Sequence, residues 1–490
     1  MTAHPFLDGA AKRLWIGGRW VEADGGATFE TRNPATGALL ATVAAAGSVD
    51  VERAVAAARE AFANGPWPRF SPSDRQRVLL RLADLLERDT ELFAQLDTLE
   101  MGAPIRRTRG GAAMLVDLLR YYAGMARAIQ GETATPSDPG LFACTLREPI
   151  GVCGAIIPWN GPLWASILKL GPVLATGCTL VLKPAEDASL APLLLGRLAE
   201  EAGVPPGVFN IVTGTGAVAG AALAASPGVD KLSFTGSDAT GRAVVAASAG
   251  NLKRLSLELG GKSPHIVFAD ADLAKAAAAT VTAAFGNSGQ VCSAGTRLFV
   301  ERAIHDEFAA EVARLAAELR IGDGLETSTD LGPLVSARQL DRVCGHMDDA
   351  RRAGAGVLSG GERLTGGLFD AGHFFPPTVL AGATDDMRAV REEIFGPVLA
   401  TLAFDDEAEV TRRANATPFG LGAGVWTRDV GRAHRMGRAL QAGSVWVNCY
   451  NTIDPAVPSG GIKASGYGRE YGPHHLEEHL QTKSLWIGID

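Results

Sequence analysis

Apolar residues recur at helical spacing in two stretches near the N-terminus. Ser48 is placed to cap the first predicted helix, and Pro72-Ser73-Asp74 opens the second. The apolar positions are Val51, Ala54, Val55, Ala58, Ala61 and Phe62 in the first stretch, and Val78, Leu79, Leu82, Leu85 and Leu86 in the second. Stripes of this width are typical of helices that pack one face on a core.

From residue 150 onward, short apolar runs alternate with helical patterns. This alternation predicts βαβ units around a mostly parallel sheet, and hence an α/β fold. The predicted strands cover 150–157, 179–182, 208–212, 231–234, 264–268, 298–300, 445–448 and 480–489, and the predicted helices cover 163–174, 188–202, 218–225, 240–247 and 273–285. A loop rich in glycine and proline is predicted between residues 449 and 472.

Composition is typical of ordinary globular proteins. With 490 residues, of which 47% are hydrophobic, the chain can bury large cores, and its length favours two or three domains. A net charge of −8 argues against nonspecific binding to nucleic acid or to an anionic membrane surface. No apolar run reaches the ~18 residues of a membrane helix, and the N-terminal pattern does not fit a signal peptide, so a cytoplasmic location is expected.

The six cysteines show no C-x-x-C spacing, which argues against a zinc site and against a disulfide framework, so we expect no metal. Cys292 differs from the others because Gly286, Gly289 and Gly295 surround it and Arg297 follows it. Burial in an apolar run would raise the pKa of a thiol and leave it inert, whereas this setting favours a reactive thiol. A buried core cysteine is the alternative.

Two segments of the chain together indicate chemistry. Glu258 closes an apolar strand in the segment 257–264, upstream of the cysteine segment 285–297, and a thiol with a carboxylate can act as a nucleophile with its base. Both segments resemble the active-site signatures of the NAD(P)-dependent aldehyde dehydrogenase superfamily. Further matches in the family's order are Pro158-Trp159-Asn160, Leu182-Lys-Pro-Ala-Glu186, Phe234-Thr-Gly-Ser237, Glu393-Ile-Phe-Gly-Pro397 and Ser465-Gly-Tyr-Gly-Arg-Glu470. The resemblance extends from about Leu14 to the C-terminus.

The resemblance implies an α/β fold with a Rossmann-type cofactor domain, an α/β catalytic domain and a small oligomerisation segment. The implied boundaries are 1–125 and 149–260 for the NAD-binding domain, 261–455 for the catalytic domain, and 126–148 with 475–490 for the oligomerisation segment. In the family, such a tail joins such a segment in a small sheet contributed across subunits. A homodimer or homotetramer is therefore implied.

The cofactor implied by the resemblance is NAD. The usual fingerprint G-x-G-x-x-G is missing, because the glycine cluster at 214–220 holds one residue too many. The positions that match the family's cofactor site are Ile156, Pro158, Trp159, Lys183, Glu186, Gly216, Phe234, Gly236, Ser237, Leu259, Gly260, Glu393 and Phe395. A helix N-terminus near Gly216 and Ser237 would favour the pyrophosphate. Glu186 would repel a 2′-phosphate, which favours NAD over NADP; a solvated loop pair is the alternative for Lys183 and Glu186.

The resemblance also assigns the chemistry. Cys292 attacks the aldehyde carbon, and the Asn160 side-chain amide and the Cys292 backbone N–H hold the resulting oxyanion. Glu258 is then the base for the water that hydrolyses the thioester. Lys169 and Glu470 match positions proposed to relay the proton outward. From the residues alone, a helix cap is the alternative for Asn160, and a buried ion pair is the alternative for Lys169 and Glu470.

The implied substrate is a small-molecule aldehyde. The positions at the pocket mouth are Gly161, Trp164, Ala165, Leu168, Val291, Ser293, Ile453 and Ser459. Several of these positions carry aromatic side chains in relatives that take short aliphatic aldehydes, whereas Gly161, Ala165, Ile453 and Ser459 are smaller. We expect a roomier, mostly apolar pocket for medium-chain, aromatic or terpenoid aldehydes. No arginine pair stands at these positions, which disfavours phosphorylated and dicarboxylic substrates.

Three other functions fit parts of the sequence. A thiol hydrolase would use a cysteine near a base, but it would not need the βαβ half. A coenzyme A-acylating dehydrogenase typically lacks the glutamate found at Glu258, so this residue favours a free acid product. A noncatalytic structural protein would have lost its nucleophile or base, yet Cys292, Glu258, Asn160 and Lys183 are all present. The three histidines near the C-terminus, which fit a solvated surface, are His474, His475 and His479.

Overall fold

The computed structural model describes residues 4–489. Within this range the α/β alternation predicted from residue 150 onward is confirmed, and four helices precede it. The strands are β1 (Leu14–Ile16), β2 (Arg19–Val21), β3 (Thr28–Arg32), β4 (Leu39–Ala44), β5 (Thr133–Ala134), β6 (Leu141–Pro149), β7 (Val152–Ile156), β8 (Thr179–Lys183), β9 (Phe209–Ile211), β10 (Lys231–Thr235), β11 (Arg254–Glu258), β12 (Pro264–Val267), β13 (Arg297–Glu301), β14 (Gly356–Ser359), β15 (Thr378–Ala381), β16 (Val398–Phe404), β17 (Gly422–Trp426), β18 (Ser444–Val447), β19 (Gly466–Tyr467) and β20 (Leu480–Gly488).

The helices connect these strands and cover the sheets that they form. They are α1 (Ser48–Ala63), α2 (Pro72–Arg88), α3 (Thr90–Met101), α4 (Ile105–Met125), α5 (Pro162–Thr176), α6 (Leu190–Glu201), α7 (Ala221–Ala225), α8 (Asp238–Ala247), α9 (Leu273–Phe285), α10 (His305–Ala317), α11 (Ala337–Arg352), α12 (Leu368–Ala371), α13 (Arg388–Arg391), α14 (Glu407–Asn415), α15 (Val430–Ala439) and α16 (Gly472–Glu477). No helix within residues 4–489 has the length and apolar character needed to cross a bilayer.

The first large sheet has eight strands in the order β19-β11-β10-β7-β8-β9-β1-β2. Its five central strands, from β11 to β9, run parallel, and the outer strands are antiparallel to their neighbours. Helices α2, α4, α5 and α6 pack on one face, and α1, α7 and α8 pack on the other. Parallel strands that are buried on both faces are apolar almost throughout. This explains why β7 and β8 lack polar alternation.

The second large sheet has seven strands in the order β14-β15-β16-β13-β12-β17-β18, and only β14 is antiparallel to its neighbour. Helices α9 and α10 cover one face, and α11, α13, α14 and α15 cover the other. The chain crosses from the first sheet to the second in residues 259–263, directly after Glu258 ends β11. The predicted domain boundary after residue 260 falls in this crossing, and the domain division itself stays a prediction.

A third, three-stranded sheet is formed by β20, β6 and β5. β20 pairs antiparallel with β6 from Leu480 opposite Pro149 to Gly488 opposite Leu141. The C-terminal tail therefore pairs with the segment before residue 149 as predicted, but the pairing lies within one chain and not across subunits. Apolar side chains on this sheet are exposed, including Phe142 and Trp486. The role of the sheet in oligomerisation stays a prediction.

Two local predictions were wrong. The first helix begins at Ser48, but Ser48 does not cap it, because the cap position is Gly47 and the Asp50 carboxylate accepts the Gly47 N–H at 3.0 Å. The region from 449 to 472 is not loop throughout, since it contains β19, which pairs with the end of β11. A strand of two residues leaves no periodic pattern in a sequence, so it could not be predicted.

Candidate active site

The carboxyl ends of the parallel strands of the first sheet meet along one edge. Asn160 follows β7, Lys183 ends β8, Ser237 follows β10, and Glu258 ends β11. In open α/β sheets, ligands bind in the crevice beyond this edge. A cleft of about 1010 Å³ lies there, and residues from both large sheets and their helices line it. The predicted site residues that line it are Pro158, Trp159, Asn160, Gly236, Ser237, Glu258, Gly260, Cys292, Glu393 and Phe395.

The turn before Cys292 has an unusual backbone. Asn287 and Ser288 both have φ of +55°, and Gly289 follows with φ of +72°. A Cβ atom on Gly289 would lie 2.1 Å from the Gly396 carbonyl oxygen, so only glycine fits there. Next, the Gln290 carbonyl oxygen accepts from the Asn160 side-chain amide at 2.9 Å and from the Asn287 amide at 3.2 Å. These contacts fix the chain as it enters Cys292.

The chain is also held after Cys292. The Tyr450 hydroxyl donates to the Ser293 carbonyl oxygen at 2.7 Å, and the Ser293 hydroxyl donates to Asn451 Oδ1 at 2.6 Å. Tyr450 and Asn451 lie in the segment after β18, far from Cys292 in the sequence. The main chain is therefore held on both sides of the thiol, and Tyr450 and Asn451 were not indicated by the sequence.

The electrostatic setting of Cys292 differs from the sequence-based expectation. Burial, with the nearby charges of Glu393 and Glu258, raises the pKa of the Cys292 thiol to about 12. The expected help from Arg297 is absent among the described contacts, because its guanidinium donates to the carbonyl oxygens of Lys262 (2.8 Å), Ala414 (2.8 Å) and Arg413 (3.4 Å). Distant parts of the fold enclose this glycine-rich segment and raise the pKa of the thiol, and the interpretation of Cys292 as a reactive thiol stays a prediction.

The Asn160 side chain lies in the cleft beside this turn. Helix α5 starts at Pro162 with Gly161 at its cap position, so the helix-cap interpretation of Asn160 was wrong. One Asn160 amide hydrogen is used on the Gln290 carbonyl oxygen. Because a side-chain amide carries two hydrogens, the second remains available to a ligand in the cleft.

Among the described residues, the Glu258 carboxylate has an oxygen atom without a hydrogen-bond partner. Its backbone pairs with Thr235 and Gly466 in the sheet, but the buried Oε1 atom has no hydrogen-bond partner in the part of the chain that the structure describes. Burial, with repulsion from Glu470, raises the pKa of Glu258 well above its ordinary value. A carboxylate in this setting is a stronger base than one in water.

Lys169 and Glu470 form an ion pair behind Glu258, as the sequence allowed. The Lys169 side chain is buried on α5, and Glu470 is mostly buried. The Lys169 charge lowers the pKa of Glu258 while the Glu470 charge raises it, so both lie within electrostatic reach of that carboxyl.

The cleft also has an aromatic corner. The rings of Trp159 and Phe395 meet edge to face with centroids 5.3 Å apart. Nearby, Glu393 Oε1 accepts the Gly261 N–H at 3.1 Å, and burial raises the pKa of Glu393 to about 7. A Cβ on Gly260 would come within 2.2 Å of Glu393 Oε2, so this glycine makes room for the carboxylate.

Two residues that hold this corner were missed from the sequence. Gln339 Nε2 donates to the Phe395 carbonyl oxygen at 2.7 Å, and Arg342 donates to the carbonyl oxygens of Glu393 and Ile394. Both lie on α11 and both line the cleft. In the sequence, Gln339 and Arg342 fit the polar face of an amphipathic helix. This pattern does not predict hydrogen bonds to residues more than fifty positions away.

Most of the remaining predicted cofactor residues do not line the cleft. Lys183 is buried and its Nζ donates to Glu186 Oε2 at 3.3 Å, so the solvated-pair interpretation was wrong for the lysine. Gly216 begins a short π-helical turn before α7. Ser237, in the cleft, caps α8 by accepting the Thr240 N–H. The apolar members Ile156, Phe234 and Leu259 lie in the core cluster beneath α8.

The predicted substrate residues fall into two groups. Ala165 and Leu168 lie in one apolar cluster, with Trp164 and Ile453 at its edge. The same cluster contains Tyr471, which the sequence did not indicate. The others follow or flank the reactive residues: Gly161, Val291, Ser293, and Ser459, whose backbone pairs with that of Glu470.

The C-terminal histidines were partly misplaced by sequence reasoning. His474 is exposed as expected, but His475 and His479 are buried. The Tyr122 hydroxyl and His475 Nδ1 are 2.7 Å apart. Polar residues near a chain end are usually solvated, but here α16 packs against α5 and the tail strand follows it.

The sequence and the fold both match known proteins. A model of the aldehyde dehydrogenase family matches residues 20–485. The protein DhaS of Bacillus subtilis is 46% identical over 486 residues, which cover 99% of this chain and 97% of that protein. Aldehyde dehydrogenase family 2 member B4, mitochondrial, of Arabidopsis thaliana is 45% identical over 489 residues, which cover 99% of this chain and 90% of that protein.

Solved structures agree with these matches. The NAD⁺ complex of an aldehyde dehydrogenase from Bacillus cereus is 44% identical, with a TM-score of 0.96, and the match covers 99% of this chain and 98% of that one. The resemblance stated from the motifs, the α/β fold class and the enzyme class are thereby confirmed. The chain belongs to the aldehyde dehydrogenase family.

Proposed function

We propose that this enzyme oxidises its aldehyde to a free carboxylic acid with NAD, through a covalent intermediate on Cys292 that is hydrolysed with Glu258 as base. The observation that carries the proposal is the single cleft shared by Cys292, Asn160, Glu258 and Glu393. A nucleophile, an oxyanion donor, a base and a cofactor-side carboxylate are the groups that this reaction needs.

The residues of the cleft fit NAD. Ser237 at the start of α8 presents a helix N-terminus, which favours a pyrophosphate. Lys183 and Glu186 offer a donor and an acceptor to ribose hydroxyls, and the Glu186 carboxylate disfavours a 2′-phosphate, so we infer a preference for NAD over NADP. Gly260 makes room for the Glu393 carboxylate, which is suited to accept hydrogen bonds from the ribose on the nicotinamide side of NAD. NAD, when bound, supplies the hydride acceptor.

The first chemical step belongs to Cys292. Its sulfur forms a bond to the aldehyde carbon, the thiol proton leaves to a base, and the carbonyl oxygen becomes an oxyanion. The free Asn160 amide hydrogen and the Cys292 backbone N–H are the donors proposed for this oxyanion. Because burial raises the pKa of Cys292 to about 12, the thiol needs a base to lose its proton, and Glu258 is the carboxylate of the cleft assigned to that task.

The second step is hydrolysis of the thioester left after hydride transfer. Water attacks the acyl carbon, Glu258 takes one proton from it, and the Cys292 sulfur leaves. A raised pKa makes Glu258 effective in this step. The Lys169–Glu470 ion pair behind it is our candidate for passing that proton outward. A buried base at this position supports release of a free acid over acyl transfer to coenzyme A.

The small residues at the pocket mouth support a medium-chain, aromatic or terpenoid aldehyde as substrate. Gly161, Ala165 and Ser459 leave room, and Leu168 and Ile453 keep the walls apolar.

We also infer a homo-oligomer, because apolar side chains of β6 and β20 are exposed on the third sheet. The six free thiols support a reducing cytoplasm.

The test measures NADH formation by the purified enzyme with NAD or NADP and a panel of aldehydes graded by length and ring content. We expect Cys292-dependent NADH, with NAD preferred and larger aldehydes favoured over acetaldehyde. Cys292→Ala should lower the rate by at least about 10⁴-fold. NADH formed equally well by this variant, or an acyl-coenzyme A product, would contradict the proposal.

A further inference from the structure

One hydrogen bond beside the substrate residues has no part in the proposed reaction. Trp164 Nε1 donates to the Tyr471 hydroxyl oxygen at 2.7 Å, with the two ring centroids 6.5 Å apart. An indole N–H can only donate, so the tyrosine oxygen is the acceptor. The Tyr471 O–H hydrogen therefore remains available. Among residues 4–489, no side chain or backbone group accepts it.

The backbone fixes the direction of this ring. Tyr471 has φ of +59°, a conformation that a bulky residue adopts only where its surroundings enforce it. Its N–H donates to His475 Nδ1 at 3.3 Å. The preceding residue, Glu470, exchanges two backbone hydrogen bonds of 2.8 Å with Ser459. The hydroxyl is therefore held in place from the chain as well as from Trp164.

Tyr471 packs with the predicted substrate residues and interacts electrostatically with the reactive groups. It is buried in the same apolar cluster as Ala165 and Leu168. Burial, then Glu470, raises the pKa of Tyr471 well above its ordinary value, and the charges of Cys292 and Glu258 contribute. The phenol is thus within electrostatic reach of both reactive groups, and it keeps its proton throughout the neutral range.

A buried donor without an acceptor is costly, so this site gains from a ligand that can accept. We propose that the Tyr471 hydroxyl selects the substrate by donating to an oxygen atom of the aldehyde, while the Trp164 ring packs against a flat ring. The preferred substrates are then ring aldehydes that carry an oxygen substituent, such as a methoxy or hydroxyl group. This inference rests on the proposed function and narrows its substrate class.

The test compares kcat/KM for 3- and 4-methoxybenzaldehyde with kcat/KM for benzaldehyde, using NAD. In the wild-type enzyme we expect the ratio to favour at least one methoxy compound. In Tyr471→Phe the ratio should fall about 3- to 10-fold, which is the usual effect of one neutral hydrogen bond. The electronic effect of the substituent is the same in both enzymes, so a change in the ratio isolates the hydroxyl.

Two further variants sharpen the test. Tyr467→Phe removes an exposed phenol on β19 and should leave the ratio unchanged. Trp164→Phe removes the indole donor and frees the Tyr471 hydroxyl to rotate, so the ratio should fall by a smaller factor. It also serves as the second variant if Tyr471→Phe fails to fold.

An unchanged ratio in an active Tyr471→Phe enzyme would overturn this inference and leave the proposed function standing. An equal loss with all aldehydes would also overturn it, because the hydroxyl would then act on a step common to every substrate, such as hydrolysis. If no aldehyde gives Cys292-dependent NADH, the proposed function fails, and the inference fails with it.

Discussion

The two reactive groups of the cleft are held in opposite ways. The carbonyl groups on either side of Cys292 accept hydrogen bonds from Asn160 and Tyr450, which come from distant parts of the chain. The Glu258 side chain, by contrast, has a buried carboxylate oxygen without a partner in residues 4–489. The main chain around the nucleophile is therefore held on both sides, whereas the carboxylate of the base keeps one oxygen without a partner in the described part of the chain.

This difference matches the tasks that we propose for the two groups. A nucleophile attacks one carbon from one direction, so a misplacement of about 1 Å is costly. A base that serves first the thiol and later a water must reach two protons at different places. Hydrogen bonds that fixed Glu258 would favour one task and would also lower its basicity.

Replacing the Glu258 carboxylate with an amide of the same shape should separate formation of the thioester from its hydrolysis. In Glu258→Gln, steady-state turnover should fall about 10²- to 10⁴-fold, the usual contribution of general-base catalysis. A first burst of NADH should persist, because the thioester still forms but is hydrolysed slowly. Stopped-flow NADH absorbance measures both phases.

Glu132→Gln, a surface substitution outside the cleft, is the matched control and should behave as wild type. Unchanged steady-state turnover in Glu258→Gln would remove Glu258 from hydrolysis. A turnover loss without any burst would instead place its main role at the thiol.

The fixed thiol should be hard to ionise in the cofactor-free enzyme. Because the pKa of Cys292 is raised to about 12, the thiolate fraction should rise tenfold per pH unit between pH 7 and pH 10 without reaching a plateau. At pH 7 it should be about 10³-fold lower than for a thiol of pKa 9. Iodoacetamide labelling, resolved by peptide mapping, measures the profile, and a plateau near pH 7 would show that another group stabilises the thiolate.

Asn160 has two proposed tasks. Its side-chain amide holds the turn before Cys292 through the Gln290 carbonyl oxygen, and it also supplies the proposed oxyanion donor. Asn160→Ala should lower kcat about 10²- to 10³-fold. The alkylation rate of Cys292 should change little, because Asn287 still donates to the Gln290 carbonyl oxygen. If the alkylation profile changes as much as kcat does, the role of Asn160 is to hold the turn.

The sequence was informative where function depends on short motifs. Glu258 ends a strand and Asn160 follows another, so the parallel βαβ pattern was enough to bring both to one edge of a sheet. The motif order then placed Cys292 in the same cleft, which the structure bears out geometrically. Such residues can be predicted because the residues adjacent to them in the sequence form a recognisable motif.

Supporting residues carry no such signal. Gln339 and Tyr450 act through contacts with backbone far away in the sequence, and the local pattern around each is that of an ordinary helix or loop. The raised pKa of Cys292 and the burial of His475 could not be predicted either, because distant helices and strands produce them. Local periodicity gives the elements, whereas the packing between them sets the pKa values and the hydrogen bonds of the site.

The smallest effect should come from a single support of the thiol. Tyr450→Phe removes only the hydroxyl that donates to the Ser293 carbonyl oxygen, while its ring keeps its contacts with His265 and Trp446. Losing one neutral hydrogen bond of about 0.5–1.5 kcal/mol should lower kcat roughly 2- to 10-fold and leave the KM for NAD unchanged. Tyr467→Phe is again the control. If kcat in Tyr450→Phe equals wild type, the thiol does not need to be fixed on this side, and Glu258 and Cys292 would differ less than their contacts indicate.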